Sequence, residues 1–336
     1  MDSLTHIALG ACIGDAFAGR QLGKKAMFWG AMSQSLPDID FVASIWSSTT
    51  EGLLAHRGFT HSILFALIMA PLLALAAERW HRPHNISLKK WILFFGVQIL
   101  IHLFIDGMNV YGVGWFEPFS HHRVSYNWIY VADPFYSVWL GISFVVLLLL
   151  QGNHPKRKWW VEFGVGMSTI YLLYCGLNKI KIDNDVKDVF KKQQISYSNY
   201  FTTPTPLNNW LWYVVAENDS GFNIGYRSLF DRERKIDFRF VPKNEQLLKP
   251  VNNHEDLQKL IRFSKGYYAV QEWNDTLVFN DLRFGQMIGW KNPEARFAFY
   301  YFLQHPDENK LVVQRGRFAG WDKDALRSLL KRIKGN

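Results

Sequence analysis

Four stretches of the chain, residues 62–77, 91–105, 135–150 and 160–177, are almost unbroken in apolar side chains. They predict membrane-crossing helices, each approaching the roughly 20 residues that ~30 Å of hydrocarbon demands. Two weaker stretches precede them, 4–18 and 26–36. Both are rich in small residues, and the first carries Gly10, Gly14 and Ala18 at four-residue spacing, a pattern that lets helices approach closely. About six apolar helices are therefore expected. Asp15, inside the first, reads as a polar group that reaches headgroups or a neighbouring helix. The opening residues carry Asp2 and no basic group, and polar side chains break their apolar run, so they are expected to belong to the mature protein rather than to a signal peptide.

Beyond residue 180 the pattern changes. Residues 179–192 mix Lys with Asp and read as a helical or irregular connector. Alternating positions then predict strands at 210–216, 223–229, 236–241, 267–273, 276–280, 296–304 and 310–315, and helical spacing appears at 255–263 and 322–333. The expected fold class is a mostly α membrane helical bundle over 1–180, followed by a soluble α+β domain with an antiparallel sheet over 181–336.

Charge sharpens this division. Residues 1–180 hold 13 Lys/Arg and 10 Asp/Glu, whereas 181–336 hold 25 and 19. Two halves in different solvents exclude both an ordinary cytosolic enzyme and a bare transporter-like bundle. An aromatic content of 16% excludes disorder. Cys12 and Cys175 lie far apart inside apolar stretches, which excludes a disulfide framework or a paired-cysteine metal motif.

Basic residues also orient the bundle, because Lys and Arg are retained on the cytoplasmic side. Arg20, Lys24, Lys25, Arg79, Arg82, Lys89, Lys90, Lys156, Arg157 and Lys158 fall on alternate connections, and only Arg57 and Arg123 fall on the others. Both termini and the polar domain are thus expected outside the cytoplasm. His6, His56, His61, His102, His121 and His122, with Asp38, Asp40, Asp106 and Asp133, then gather at the outer ends of the segments, although the orientation used Lys and Arg alone. His81 and His84 belong to a basic inner loop.

The spacing of this set points to metal binding. His102 and Asp106 lie one helical turn apart on a common face. Pro37 stops a helix just before Asp38 and Asp40, a loop suited to a divalent cation. His56 and His61 flank a glycine turn, with Thr60 expected as the cap of the next helix. His6, Asp38, Asp40, His56, His61, His102 and Asp106 exceed the four ligands of one tetrahedral zinc, so two or three ions are expected, zinc first and manganese or magnesium as alternatives.

The runs Leu4-Thr5-His6, Leu36-Pro37-Asp38-Ile39-Asp40, His56-Arg57-Gly58-Phe59-Thr60-His61-Ser62 and His102-Leu103-Phe104-Ile105-Asp106 resemble the membrane-bound metal-dependent hydrolase family of the YdjM/YbcI type. Tyr111-Gly112 and Pro118-Phe119-Ser120 extend the resemblance to about residue 140, and a vaguer likeness surrounds residues 281–285. It implies a bacterial or archaeal inner-membrane hydrolase, with the seven ligand candidates on the family's polar positions. A fainter similarity is to zinc-dependent phospholipase C.

The expected activity is cleavage of a phosphoester of a membrane lipid or lipid-linked substrate at the extracytoplasmic face. His102 and Asp106 sit at its centre, Arg57 and Arg123 on the phosphate, and His121, with His122, as general acid or supporting group. Asp133 reads as ligand, orienting group or helix cap. The competing readings are a metal-ion transporter or sensor and a non-catalytic envelope scaffold. Motifs for zinc proteases, serine hydrolases, phosphate-binding loops and zinc knuckles are absent from the sequence, and basic residues in short inner loops disfavour nucleic acid as a partner.

Overall fold

A computed structural model describes residues 1–81, 86–251, 253–274, 276–304, 309 and 321–336. The chain divides into two compact units, one of residues 1–46 and 55–176, the other of 47–54 and 177–336.

In the first unit, helix α1 (Ser3–Leu22) is capped by the Asp2 carboxylate, which accepts from the Thr5 amide, and α2 (Lys24–Ser35) follows after Gly23. Their glycines do what the spacing predicts. A Cβ on Gly30 would stand 2.0 Å from the Gly10 carbonyl oxygen, and one on Gly14 would stand 2.2 Å from that of Ala26, so the two backbones touch. A 3₁₀ segment (Pro37–Ile45) and a short helix, α3 (Thr49–Ala55), lead to a second 3₁₀ turn at Phe59–His61. Then come α4 (Ile63–Trp80), α5 (Leu88–Asp106), α6 (Pro134–Leu149) and α7 (Arg157–Gln193). Ala66, Ala70, Ala74 and Ala77 form the buried stripe of α4, and Ala70, Ala74 and Ala77 pack with Trp91, Phe94 and Phe95 of α5. The opposite faces expose Leu67, Leu72, Leu75, Leu93 and Leu100, the side chains expected against lipid.

Three of these helices, α4, α5 and α7, are long and apolar enough to cross a membrane, and α6 is a shorter apolar helix. The expected count of about six spans is not supported. The reason is length and polarity: the 12 residues of α2 rise only about 18 Å, and α1 buries Thr5, His6 and Asp15. Residues 179–192 are no separate connector but the continuation of α7. Ser62, not Thr60, caps α4 by accepting from the Phe65 amide, which leaves His61 in its own 3₁₀ turn.

The second unit holds two antiparallel sheets, β1 (Asn199–Pro204), β2 (Leu211–Asn218), β3 (Gly221–Ser228) and β4 (Arg239–Pro242) in sequence order, then β5 (Tyr268–Trp273), β6 (Thr276–Asp281) and β7 (Tyr300–Phe302). Strand β2 is buried on both faces. Trp212, Val214 and Ala216 pack on Ile182, Val186, Val189 and Phe190 of α7, while Tyr213 and Val215 face Phe222, Ile224 and Tyr267. Helices α8 (His254–Phe263) and α9 (Lys323–Ile333) match expectation closely. Strand β1 is not among the expected strands. The run 236–241 pairs only from Arg239 and 296–304 only over three residues, while the strand expected at 310–315 lies outside the described residues. Within this unit the segment 47–54 is held by Thr50, whose hydroxyl donates to Asp256, by Glu51, paired with Lys259 at 3.0 Å, and by Leu53, packed against Leu257 and its neighbours.

Candidate metal centre

The first unit gathers its ionisable side chains where α1 begins, α5 ends and the two 3₁₀ segments meet. Asp38, His61, His102 and Asp106 each offer one ligand atom, and these four atoms lie within 4.8 Å of one another. His61 Nε2 stands 3.5 Å from both Asp38 Oδ1 and Asp106 Oδ2, and His102 Nε2 stands 3.6 and 3.7 Å from the same two oxygens. The two Nε2 atoms are 3.1 Å apart.

Each ring is turned by what its other nitrogen touches. His102 Nδ1 lies 2.6 Å from the Gln34 carbonyl oxygen. A carbonyl can only accept, so the proton sits on Nδ1 and the Nε2 lone pair points into the cluster. His61 Nδ1 lies 3.3 Å from Asp40 Oδ2. Burial pushes the Asp40 carboxyl up, but hydrogen bonds from His56 and the Arg57 amide and the nearby imidazoles outweigh it, and its pKa falls below the usual range. His61 Nδ1 also hydrogen-bonds the Thr60 hydroxyl at 3.1 Å, so the ring can present either a lone pair or a proton on Nε2 to the inward lone pair of His102. Burial first, with the Arg57 charge, keeps His61 neutral by holding its pKa well below the ordinary histidine value, against the pull of Asp40.

Around this core stand further partners. His6 stacks on His102 with ring centroids 3.8 Å apart and places Nε2 3.2 Å from Asp106 Oδ1. His56, partly exposed, bonds Asp40 Oδ1 through Nδ1 at 3.2 Å. Arg57 adopts a left-handed backbone (φ 59°), a conformation that costs about 1–2 kcal/mol for a residue with a Cβ. That geometry lets its amide donate to Asp40 Oδ2 at 2.7 Å, and its guanidinium forms an ion pair with Asp106, Nε standing 2.9 Å from Oδ2. The Met1 amino group also pairs with Asp106.

The family profile described as YdjM inner membrane protein matches residues 1–182, more than half of the chain. The chain belongs to the YdjM inner membrane protein family. It is 32% identical over 127 residues to inner membrane protein YbcI of Escherichia coli K12, covering 37% of this chain and 72% of YbcI. It is 23% identical over 299 residues to protein YfhP of Bacillus subtilis 168, covering 84% of this chain and 87% of YfhP. No solved structure matches the chain. Family membership and the apolar helices together support an inner-membrane location.

All seven ligand candidates of this YdjM-family chain thus lie in or beside one cluster, although only four offer atoms to one point. Arg57 is bound into it. Arg123 stands behind it: the guanidinium donates to the His56 carbonyl oxygen at 2.9 Å and steadies the loop. His121 and His122 are exposed, and His121 bonds Glu117 at 2.9 Å, outside the cluster. Asp133 caps α6 and accepts from the Tyr171 hydroxyl at 3.0 Å. Sequence reasoning missed Gln34, whose carbonyl turns His102, and Asn109, which accepts from Arg57 Nη1 at 2.8 Å. Asn109 was within reach, three residues after Asp106. A backbone carbonyl leaves no such mark.

Proposed function

We propose that this YdjM-family chain is a membrane-embedded metal-dependent hydrolase that cleaves a phosphoester of a phospholipid or lipid-linked molecule at the extracytoplasmic face. The observation that carries the reading is the pair of buried imidazole Nε2 atoms, 3.1 Å apart and grouped with one oxygen each of Asp38 and Asp106. Such a set of four donor atoms is complementary to a divalent cation. Two imidazole nitrogens and two carboxylate oxygens suit zinc before manganese or magnesium. One group of four donors matches a single ion; a second or third ion needs Asp40 and His56 released from each other. When bound, the metal supplies an activated water, its pKa lowered to about 7, and polarises a phosphate oxygen.

The protein's own groups do the rest. Gln34 and Asp40 fix the two imidazoles, Arg57 offsets the charge of Asp106, and Arg123 holds the His56 backbone. The lipid phosphoester follows from position. The cluster lies where α5 ends and α4 is about to begin, at one end of two apolar helices, and the end of a membrane-crossing pair is where headgroups would meet it. The opposite end of that helix pair carries Arg79, Lys89 and Lys90, which favours the cytoplasm there and the outer face for the cluster and for residues 177–336.

The purified chain, analysed for bound metal and assayed on a panel of phospholipids and lipid-linked phosphates, tests the reading. His102→Ala and Asp106→Ala should lose both metal and turnover; retention of both sinks it. Metal bound without turnover, with ion flux in vesicles, would favour the transporter. A reporter active only in the cytoplasm, fused after Asn336, should stay silent.

A further inference from the structure

The end of the first unit remote from the cluster holds a cavity. His6 opens α1 and Arg20 closes it, so the two lie about 21 Å apart along the axis. At the Arg20 end, α1, Gly23, the α6–α7 connection and the start of α7 line about 740 Å³, within the size range of small-ligand pockets.

The floor is an electrically closed pair. Arg157 donates to Asp15 Oδ1 through Nη2 at 2.6 Å and Nε at 3.2 Å, and through Nη1 to the carbonyls of Leu147 and Leu150 at 2.7 and 3.1 Å. Both residues are buried. Arg157 therefore cancels Asp15 and has no donor to spare. The lining mixes two chemistries. Arg20, Lys158 and His154 line it with Glu162, and Phe17 and Val161 add apolar surface. Among the described residues Lys158 pairs with Glu162 alone, at 3.5 Å and with both side chains largely exposed, a contact worth little. Lys25 and Lys156 stand next to the lining in sequence and add positive charge at the same end.

This cavity sits at the first turn of a helix long enough to cross the membrane, and that turn also carries exposed Trp159, an aromatic of the kind found in a headgroup layer. We propose that it binds the phosphate of an acidic phospholipid headgroup, with Arg20 and Lys158 on the phosphate oxygens and Phe17 and Val161 against the first carbons of the chains. A soluble phosphate would have no use for the apolar surface. Basic pockets between helices on the cytoplasmic side suit such headgroups. The proposal is independent of the chemistry assigned to the metal cluster.

The full chain is reconstituted in phosphatidylcholine vesicles with a minor fraction of phosphatidylglycerol, and the lipid it retains on gentle extraction is identified by native mass spectrometry. Phosphatidylglycerol should be retained in preference. Arg20→Gln with Lys158→Gln should lower that preference about fivefold per charge removed, while Lys89→Gln with Lys90→Gln should leave it unchanged. Both pocket residues are exposed, so melting should not move; should the double variant misfold, Lys158→Gln alone carries the comparison. Equal loss in both double variants, no preference in the unaltered chain, or displacement of the lipid by inorganic phosphate overturns the proposal.

Discussion

His61 and His102 face each other through Nε2 atoms 3.1 Å apart, with Nδ1 of His102 on the Gln34 carbonyl oxygen and Nδ1 of His61 beside the Thr60 hydroxyl and Asp40. Neither ring can turn away without abandoning Gln34 on one side or Thr60 and Asp40 on the other. Burial makes that exchange expensive, since a stranded polar group costs about 1–3 kcal/mol. A cation held by both Nε2 atoms would stabilise the folded chain further.

Chelation should therefore lower the melting temperature of the purified chain, and zinc should restore it. A ligand at about 100 times its dissociation constant stabilises by about 2.7 kcal/mol. His102→Ala should show neither the loss nor the recovery. Differential scanning fluorimetry with and without chelator reads both, and a chelator-insensitive native chain would count against the site.

Asp106 meets the Met1 amino group and the Arg57 guanidinium while fully buried. Asp106→Asn removes the charge and keeps the shape, so two cations lose their partner. Destabilisation of about 3–5 kcal/mol is expected. Measured in chelator, where metal affinity plays no part, the loss should persist.

Burial pushes the Asp133 carboxyl up to about 6, against the pull of the Phe135 amide and the Tyr171 hydroxyl. Its folded pKa thus exceeds the unfolded value of about 3.9, and the folded protein binds the proton more tightly. That contribution is complete below the unfolded pKa and is lost as pH rises through about 6, a span worth about 3 kcal/mol at most. Asp133→Asn keeps a cap acceptor and cannot ionise. Its melting temperature should be flatter across this window than that of the native chain.

Gly30→Ala places a methyl 2.0 Å from the Gly10 carbonyl oxygen and 2.9 Å from Gln98 Nε2. Two backbones must separate, at a cost of about 1–3 kcal/mol. A Cβ on Gly141, in α6, meets nothing within 4 Å, so Gly141→Ala should be neutral or slightly stabilising. Thermal unfolding in one detergent compares the pair.

Much of the metal cluster was legible in the sequence because His102 and Asp106 obey helical spacing and because Asp38, Asp40, His56 and His61 are ionisable groups beside apolar runs. The close approach of α1 and α2 was legible for the same reason, in glycines four apart. Arg157 was not recognised as the partner of Asp15, since an ion pair spanning 142 positions has no local signature. Span number was overread: apolar content near residues 4–18 and 26–36 reports burial against protein as readily as burial in lipid. In the second unit, β2 and β3 were plain from alternation, whereas β1 was hidden in a polar Thr-rich run whose pairing with β2 supplies the order.

Residues 47–54 come from the N-terminal sequence yet belong to the core of the C-terminal unit. A fragment ending at Gly176 would thus carry Leu53 and Thr50 bereft of their neighbours, and one starting at Leu177 would expose the Leu257 surface they cover. Dissection of this protein therefore cannot be done with one cut. Two halves expressed from separate messages should find each other through that borrowed stretch, or aggregate for want of it.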